Sequence, residues 1–279
     1  MDNCCGGGCC GEEREESLPV LIPIKKVITE SPRVKSYLFD ANLNASPGQF
    51  IMLWIPGVGE RPVAIYEEEG SFRISVANIG KVSGELHKFK AGDRVGIRGP
   101  YGTSFTLPRA KGDLVMVAGG YGIVPLAYLA IEAQKRGYNP TILNGARTAK
   151  EALYQDFLKK KKIKMLISTD DGSQGKKGYV HQLLLEYLSK NRKPKMLYTC
   201  GPEIMEYNVA KVCWAKKIPL QVSVERYMKC GIGVCGSCSV DPTGWRMCME
   251  GPIVSGEDLK KITEFGKYHR SASGMPHNF

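Results

Sequence analysis

From residue 18 to 110 the apolar residues come in short runs separated by turn residues. Val20-Leu21-Ile22-Pro23-Ile24, Val34 to Phe39, Phe50 to Ile55, Phe72 to Val76 and Arg94 to Arg98 read as strands. Ser46-Pro47-Gly48, Pro56-Gly57, Glu69-Gly70, Ala91-Gly92-Asp93 and Gly99-Pro100 punctuate them. Short strands at that spacing, with few helical signals, predict a small antiparallel barrel. Over 111–222 the pattern changes. Leu114 to Ala118 is a continuous apolar run, as in a strand buried on both faces. A helix-like stretch from Val124 to Gln134 follows it. Thr141–Asn144, Lys164–Ser168 and Met196–Cys200 read as further strands. Ala149–Leu158, Val180–Leu188 and a segment ending at Val212 read as helices. Alternating strand and helix predicts a doubly wound α/β domain. The longest apolar run, Leu114 to Ile131, is broken by Gly119, Gly120, Gly122 and Pro125, which fits strand, loop and helix and no membrane span.

Residues 223–258 form a third unit, organised by Cys230, Cys235, Cys238 and Cys248. Their spacing is C-x4-C-x2-C-x9-C. The first three match the plant-type arrangement for a [2Fe-2S] cluster. Gly231, Gly233 and Gly236 let the backbone turn sharply and bring N–H donors toward inorganic sulfide. A structural zinc site competes, although zinc sites mostly use two separate Cys pairs. Residues 1–17 read as a tail. Cys4-Cys5 and Cys9-Cys10 flank three glycines there, so the tail is either a soft-metal site or a flexible terminus with no fixed ligand. Leu259 to Phe279 reads as a polar tail.

The chain has 279 residues, enough for more than one domain, and 43% hydrophobic residues, enough for a real core. Ten cysteines with no export pattern argue for redox or metal use in a reducing cytoplasm. The net charge is +11, with a concentration at Lys159 to Lys162. No nucleic-acid recognition motif accompanies it. The charge suits an acidic redox partner or anionic cofactors at least as well.

Two loops point to nucleotide chemistry. Gly119-Gly120-Tyr121-Gly122-Ile123-Val124-Pro125 joins a buried strand to a helix. It is either a plain tight turn or a place where backbone approaches a pyrophosphate. Cys200-Gly201-Pro202 ends a later strand, and Arg147 and Asp170-Asp171-Gly172 also follow strands. All of these would fall on the carboxyl edge, where such sheets bind ligands. In the barrel region, Arg61-Pro62-Val63-Ala64 offers a guanidinium suited to phosphate. Gly80-Lys81-Val82-Ser83 offers a second loop, with a helix expected to begin near Ser83 as its N-cap.

In this order, these motifs and Gly99-Pro100-Tyr101-Gly102 resemble the ferredoxin–NADP reductase superfamily. The ending Glu225-Arg226-Tyr227-Met228-Lys229-Cys230, through Cys248 and Gly251-Pro252, looks like the electron-transfer subunit of dihydroorotate dehydrogenase B. It is also similar to γ-type diaphorase subunits of hydrogenases. The resemblance implies that Arg61 binds FAD phosphates, that Pro62, Val63, Ala64, Val76 and Ala77 line the flavin, and that Gly80, Lys81, Val82 and Ser83 contact phosphate. It implies that Gly119, Gly120, Gly122, Ile123, Pro125, Cys200, Gly201 and Pro202 bind NAD(P). Arg147 would suit a 2′-phosphate, whereas Asp170 and Asp171 would favour NAD. Ala64 departs from the family's Ser or Thr, whose hydroxyl reaches the flavin N5.

The implied function is electron transfer between NAD(P)(H) and a partner catalytic subunit through FAD and a [2Fe-2S] cluster. The expected partner is a dihydroorotate dehydrogenase catalytic chain, in pyrimidine biosynthesis, with NAD as acceptor. The alternatives are a diaphorase subunit of a hydrogenase, sulfide dehydrogenase or ferredoxin:NADP oxidoreductase, or, in another class, a cluster-bearing redox sensor without turnover. No residue is singled out as a catalytic acid or base, so the organic substrate is expected to belong to the partner.

Overall fold

The computed structural model describes residues 18–279. The Cys/Gly-rich segment 1–17 lies outside the described residues. The first sheet is built from β1 (Val20–Pro23), β2 (Lys26–Ser31), β3 (Val34–Phe39), β4 (Phe50–Ile55), β5 (Gly59–Glu68), β6 (Ser71–Ala77) and, after helix α1 (Lys81–Leu86), β7 (Arg94–Tyr101). The strand order is β1-β7-β4-β5-β6-β3-β2, antiparallel throughout. The sheet curls into a half-barrel around Tyr37, Phe39, Ile51, Leu53, Ile65, Phe72 and Ile74. The rings of Phe39 and Phe72 stack at 4.6 Å.

Strand β5 was not expected from the sequence, because Pro62 argues against an interior strand. The register resolves this. Residues 59–64 pair with β4, and pairing with β6 begins only at Ile65. Pro62 therefore sits where the strand has a neighbour on one side only. Strand β2 was also missed, since Lys26-Val27-Ile28-Thr29-Glu30-Ser31 mixes charge with apolar residues at a sheet edge.

The second sheet carries β8 (Asp113–Gly119), β9 (Asn139–Ala146), β10 (Lys164–Thr169), β11 (Lys176–Lys177), β12 (Met196–Cys200) and β13 (Leu220–Ser223). Its helices are α2 (Ile123–Lys135), α3 (Gln155–Lys160), α4 (Val180–Lys190) and α5 (Glu203–Lys216). Strands β8 to β13 run parallel in the order β11-β10-β9-β8-β12-β13. Strand β8 shows why an unbroken apolar run is needed. Leu114, Met116 and Ala118 pack with α2 on one face, while Val115 and Val117 pack with α4 and α5 on the other. The order reverses at β8, whose neighbours are β9 and β12, so a crevice opens where those strands end.

Two helix expectations change. The stretch Ala149–Leu158 splits into a short 3-10 turn (Ala149–Glu151) and α3. Leu153 and Tyr154 are buried between the two pieces, and the Tyr154 hydroxyl lies 2.8 Å from Ser75 Oγ of β6. That contact anchors the half-barrel to the α/β unit. Helix α1 begins at Lys81 with Gly80 as N-cap, not at Ser83. Ser83 instead reaches back, its hydroxyl accepting the Gly80 N–H at 2.9 Å.

The cysteine segment contains the hairpin β14 (Ser239–Val240) and β15 (Trp245–Arg246). The chain then returns as β16 (Ile253–Ser255), antiparallel to β13, and completes the α/β sheet. The segment is thus an excursion between two adjacent strands. Cys238, Val240, Met247 and Cys248 join one core with Met52 of the half-barrel and Val222 of the sheet. The final stretch is less polar in effect than its composition: Leu259, Ile262 and Phe265 are buried, and β17 (Tyr268–Arg270) and β18 (Pro276–Asn278) close a hairpin. Among the described residues no helix is long and apolar enough to cross a membrane.

Candidate functional site: a crevice flanked by a thiol loop

The crevice at the end of β8 and β12 is shaped by four glycines, Gly119, Gly120, Gly122 and Gly201. A Cβ at Gly122 would lie 2.2 Å from the Cys200 carbonyl oxygen, and one at Gly201 would lie 2.9 Å from Gly119 Cα. The two loops meet closely, with the Pro202 ring and the Met205 side chain packed against Gly119. Gly120 takes φ +53° and has nothing within 4 Å of its missing Cβ, so its surface faces open space. Such a cradle admits a phosphate-bearing ligand at close range. Ile123 and Pro125 are buried inside α2, so only their backbone is available to a ligand.

Cys200 is partly accessible at the lip, and loss of solvent around its thiol pushes the pKa up, keeping it protonated. Beneath it, Glu206 is fully buried and accepts the Gly201 N–H at 3.0 Å. Burial pushes its carboxyl well above the usual carboxylate range. Arg147, Asp170 and Asp171 are exposed on the same edge, as expected for residues following β9 and β10. Asp171 accepts the Ser173 hydroxyl at 2.6 Å and backbone N–H at 2.9 Å, which holds its carboxyl below the usual range.

On the half-barrel, Arg61 is exposed on β5 with its guanidinium 5.2 Å from the Tyr227 ring centroid. Strand alternation separates its neighbours. Val63 packs toward the barrel core, while Pro62 and Ala64 face the other side, half-buried. Val76 is buried in the barrel core, and Ala77 packs against the α/β core. Gly80 and Lys81 are exposed, and Val82 is buried under α1.

Sequence reasoning gave no role to Glu225 and Tyr227. Both follow β13, which was not recognised as a strand ending on the same edge. The charge of Glu225 is the leading reason the Tyr121 hydroxyl of the glycine loop is pushed up, and loss of solvent raises the Glu225 carboxyl in turn.

The four cysteines fall as two pairs. The Cys235 N–H donates to Cys230 Sγ at 3.5 Å, and the thiols of Cys238 and Cys248 shift each other's pKa, Cys238 down and Cys248 up. Cys238 and Cys248 are buried, and Cys235 is exposed. Gly231 and Gly233 take φ +75° and +80°, and a Cβ at either would press to 2.7 Å on Met52 or Met249. Among the described residues no three His, Cys, Asp or Glu side chains converge tightly enough to hold one ion. Two thiol pairs side by side suit a two-iron group, with two thiolates per iron, better than a single tetrahedral ion.

Residues 225–260 match the iron–sulfur cluster binding domain of dihydroorotate dehydrogenase B, and residues 116–211 match the oxidoreductase NAD-binding domain. The chain is 46% identical over 257 residues to a probable dihydroorotate dehydrogenase B (NAD(+)) electron transfer subunit of Methanocaldococcus jannaschii, covering 92% of this chain and 97% of that one. The chain belongs to the dihydroorotate dehydrogenase B electron-transfer subunit family. A second member, from Methanothermobacter thermautotrophicus, is 39% identical with the same coverage of 92% and 97%. Among solved structures, an NADH-dependent reduced ferredoxin-NADP oxidoreductase, studied for flavin-based electron bifurcation, superposes with a TM-score of 0.75 at 29% identity. That match covers 88% of this chain and 94% of the other. A ferredoxin reductase of carbazole 1,9a-dioxygenase shares the fold, with a TM-score of 0.65 at 22% identity over 72% of this chain and 68% of that one.

Proposed function

We propose that this chain carries electrons between NAD(H) and an FMN-bearing dihydroorotate dehydrogenase catalytic subunit, using FAD and a [2Fe-2S] cluster of its own. The observation that carries the reading is the meeting of three candidate sites at one place. Arg61 of the proposed FAD strand lies against Tyr227, three residues before the first cluster cysteine, and Tyr227 follows β13, which runs parallel to β12 and ends on the edge that carries the glycine loop.

FAD exchanges electron pairs with a nicotinamide and single electrons with an iron–sulfur cluster, so it supplies the conversion when bound. The chain's own residues do the rest. Arg61 pairs with the FAD phosphates. Pro62 and Ala64 give the flavin an apolar wall with no hydroxyl near N5. Ser83 rigidifies the Gly80 turn. Gly119, Gly120, Gly122 and Gly201 admit the dinucleotide, with Cys200 and Glu225 at the nicotinamide end. Exposed Asp170 and Asp171 near Arg147 make a 2′-phosphate less welcome and favour NAD. Cys230, Cys235, Cys238 and Cys248 hold the cluster, and Val234 and Cys235 stand exposed at the loop tip, where a partner can approach. The domain edges proposed are 18–110 for FAD, 111–222 for NAD(P) and 223–258 for the cluster.

The likeness to the ferredoxin-NADP oxidoreductase favours a second reading, in which the partner handles ferredoxin and not dihydroorotate. Tagged chain isolated anaerobically from its host decides between them. The first reading expects a co-purifying dihydroorotate dehydrogenase subunit and NADH formation on adding dihydroorotate. A different partner with no such activity rejects it.

A further inference from the structure

The half-barrel and the cysteine loop are joined by one charged contact that the function above does not use. Arg98 of β7 grips Glu60 of β5 in a two-pronged pair, Nε to Oε1 at 2.8 Å and Nη2 to Oε2 at 2.7 Å. The same Nη2 donates to the carbonyl oxygen of Cys230 at 3.0 Å. Both side chains are largely enclosed, at 14% and 19% exposure. Glu60 immediately precedes Arg61, so the residue bound by Arg98 is the neighbour of the proposed FAD anchor. The loop is pressed onto the same surface next door, where a Cβ at Gly231 would come 2.7 Å from Met52 and 3.5 Å from Tyr101.

We infer that the Arg98–Glu60 pair is a brace that positions Cys230 against the FAD strand and sets how readily the cluster accepts an electron. The inference rests on the iron–sulfur reading. Its physical basis is charge. Reducing a thiolate-bound cluster adds one negative charge, and net charge and hydrogen bonds around the cysteines set the potential. A guanidinium beside Cys230 favours the added electron, and a carboxylate opposes it. Held together, the two nearly cancel at a distance. Removing either unmasks the other in a partly enclosed site, where charges act more strongly than in water. Arg98 and Glu60 are positioning residues; neither is placed on a reacting atom.

The test is a redox titration of the cluster signal in the intact holoprotein, followed by EPR, with flavin content and melting temperature measured alongside. Arg98→Met makes the cluster about three- to tenfold harder to reduce, and Glu60→Gln makes it easier by a similar factor. Arg98→Lys keeps the charge but loses the fork. Its potential stays near that of the parent, while flavin-to-cluster transfer slows in rapid-mixing experiments. A merely structural contact would move the first two variants in the same direction or not at all, and either result overturns the brace. A parent protein with bound flavin but no cluster signal removes the iron–sulfur reading itself, and the brace with it.

Discussion

The carbonyl oxygen of Cys200 occupies the space where any side chain at Gly122 would begin. A Cβ there would sit 2.2 Å from the oxygen and 2.5 Å from its carbon, both backbone atoms that cannot swing aside. The crevice therefore depends on the absence of one carbon atom. Gly122→Ala is expected to push the two loops apart, cost about 1–3 kcal/mol of stability and weaken NADH binding. Isothermal titration of the flavin-loaded protein measures the second effect. Unchanged affinity would place the nucleotide elsewhere.

Arg61 leaves Tyr227 for phosphate in the proposed complex, so its loss should be felt in FAD retention and not in folding. Arg61→Ala is expected to weaken FAD binding about ten- to hundredfold, from the loss of a charge-assisted bond. Flavin content after dialysis is the measurement. Full retention would exclude Arg61 from the site.

Cys235 is the exposed member of its thiol pair. Cys235→Ser is expected to abolish the rhombic [2Fe-2S] EPR signal while FAD stays bound. Loss of both together would mean that the two sites do not form independently.

Arg226 is enclosed between two carboxylates. It pairs with Glu203, bonds Glu264 at 2.9 Å, and is 2% exposed. Arg226→Met would leave Glu203 buried without a cation and Glu264 with only Arg270, 3.5 Å away, a change that costs about 3–5 kcal/mol. The melting temperature is expected to fall by on the order of 10 °C. A shift of less than a degree would show that the enclosed ion cluster contributes nothing net to stability.

Glu206 gives a pH dependence with a definite sign. Its folded pKa is raised by burial, so the folded protein holds a proton that the unfolded chain releases. The stability this provides is full below the ordinary carboxylate pKa and is lost as pH rises through the folded value. Glu206→Gln keeps an acceptor for Gly201 without the titration. Its melting temperature is expected to exceed that of the parent increasingly above pH 6, and parallel curves for the two proteins would refute this.

The order of motifs, the curled antiparallel unit and the cluster-binding segment were legible because they depend on local signals. Turn residues mark the half-barrel, the apolar run Leu114–Ala118 marks a two-faced strand, and C-x4-C-x2-C needs no tertiary context. What escaped notice depends on distant partners. Pro62 concealed β5 because only the register shows that its strand is half-paired. Arg98 looked like any strand-end cation until the fold brought Cys230 to its guanidinium. Glu225 and Tyr227 lay in plain view, yet their place at the crevice follows from β13, a strand of four residues completed by β16 from beyond the cysteines.

That last pairing has a consequence for how the molecule is put together. Ile253 lies opposite Ser223, and the Val224 N–H donates to the Pro252 carbonyl at 2.8 Å, so the ladder shuts directly behind the departing chain. The iron-binding stretch hangs from the sheet as a locket hangs from a clasp. Its two ends are fixed by the sheet's own hydrogen bonds, which involve none of the four cysteines.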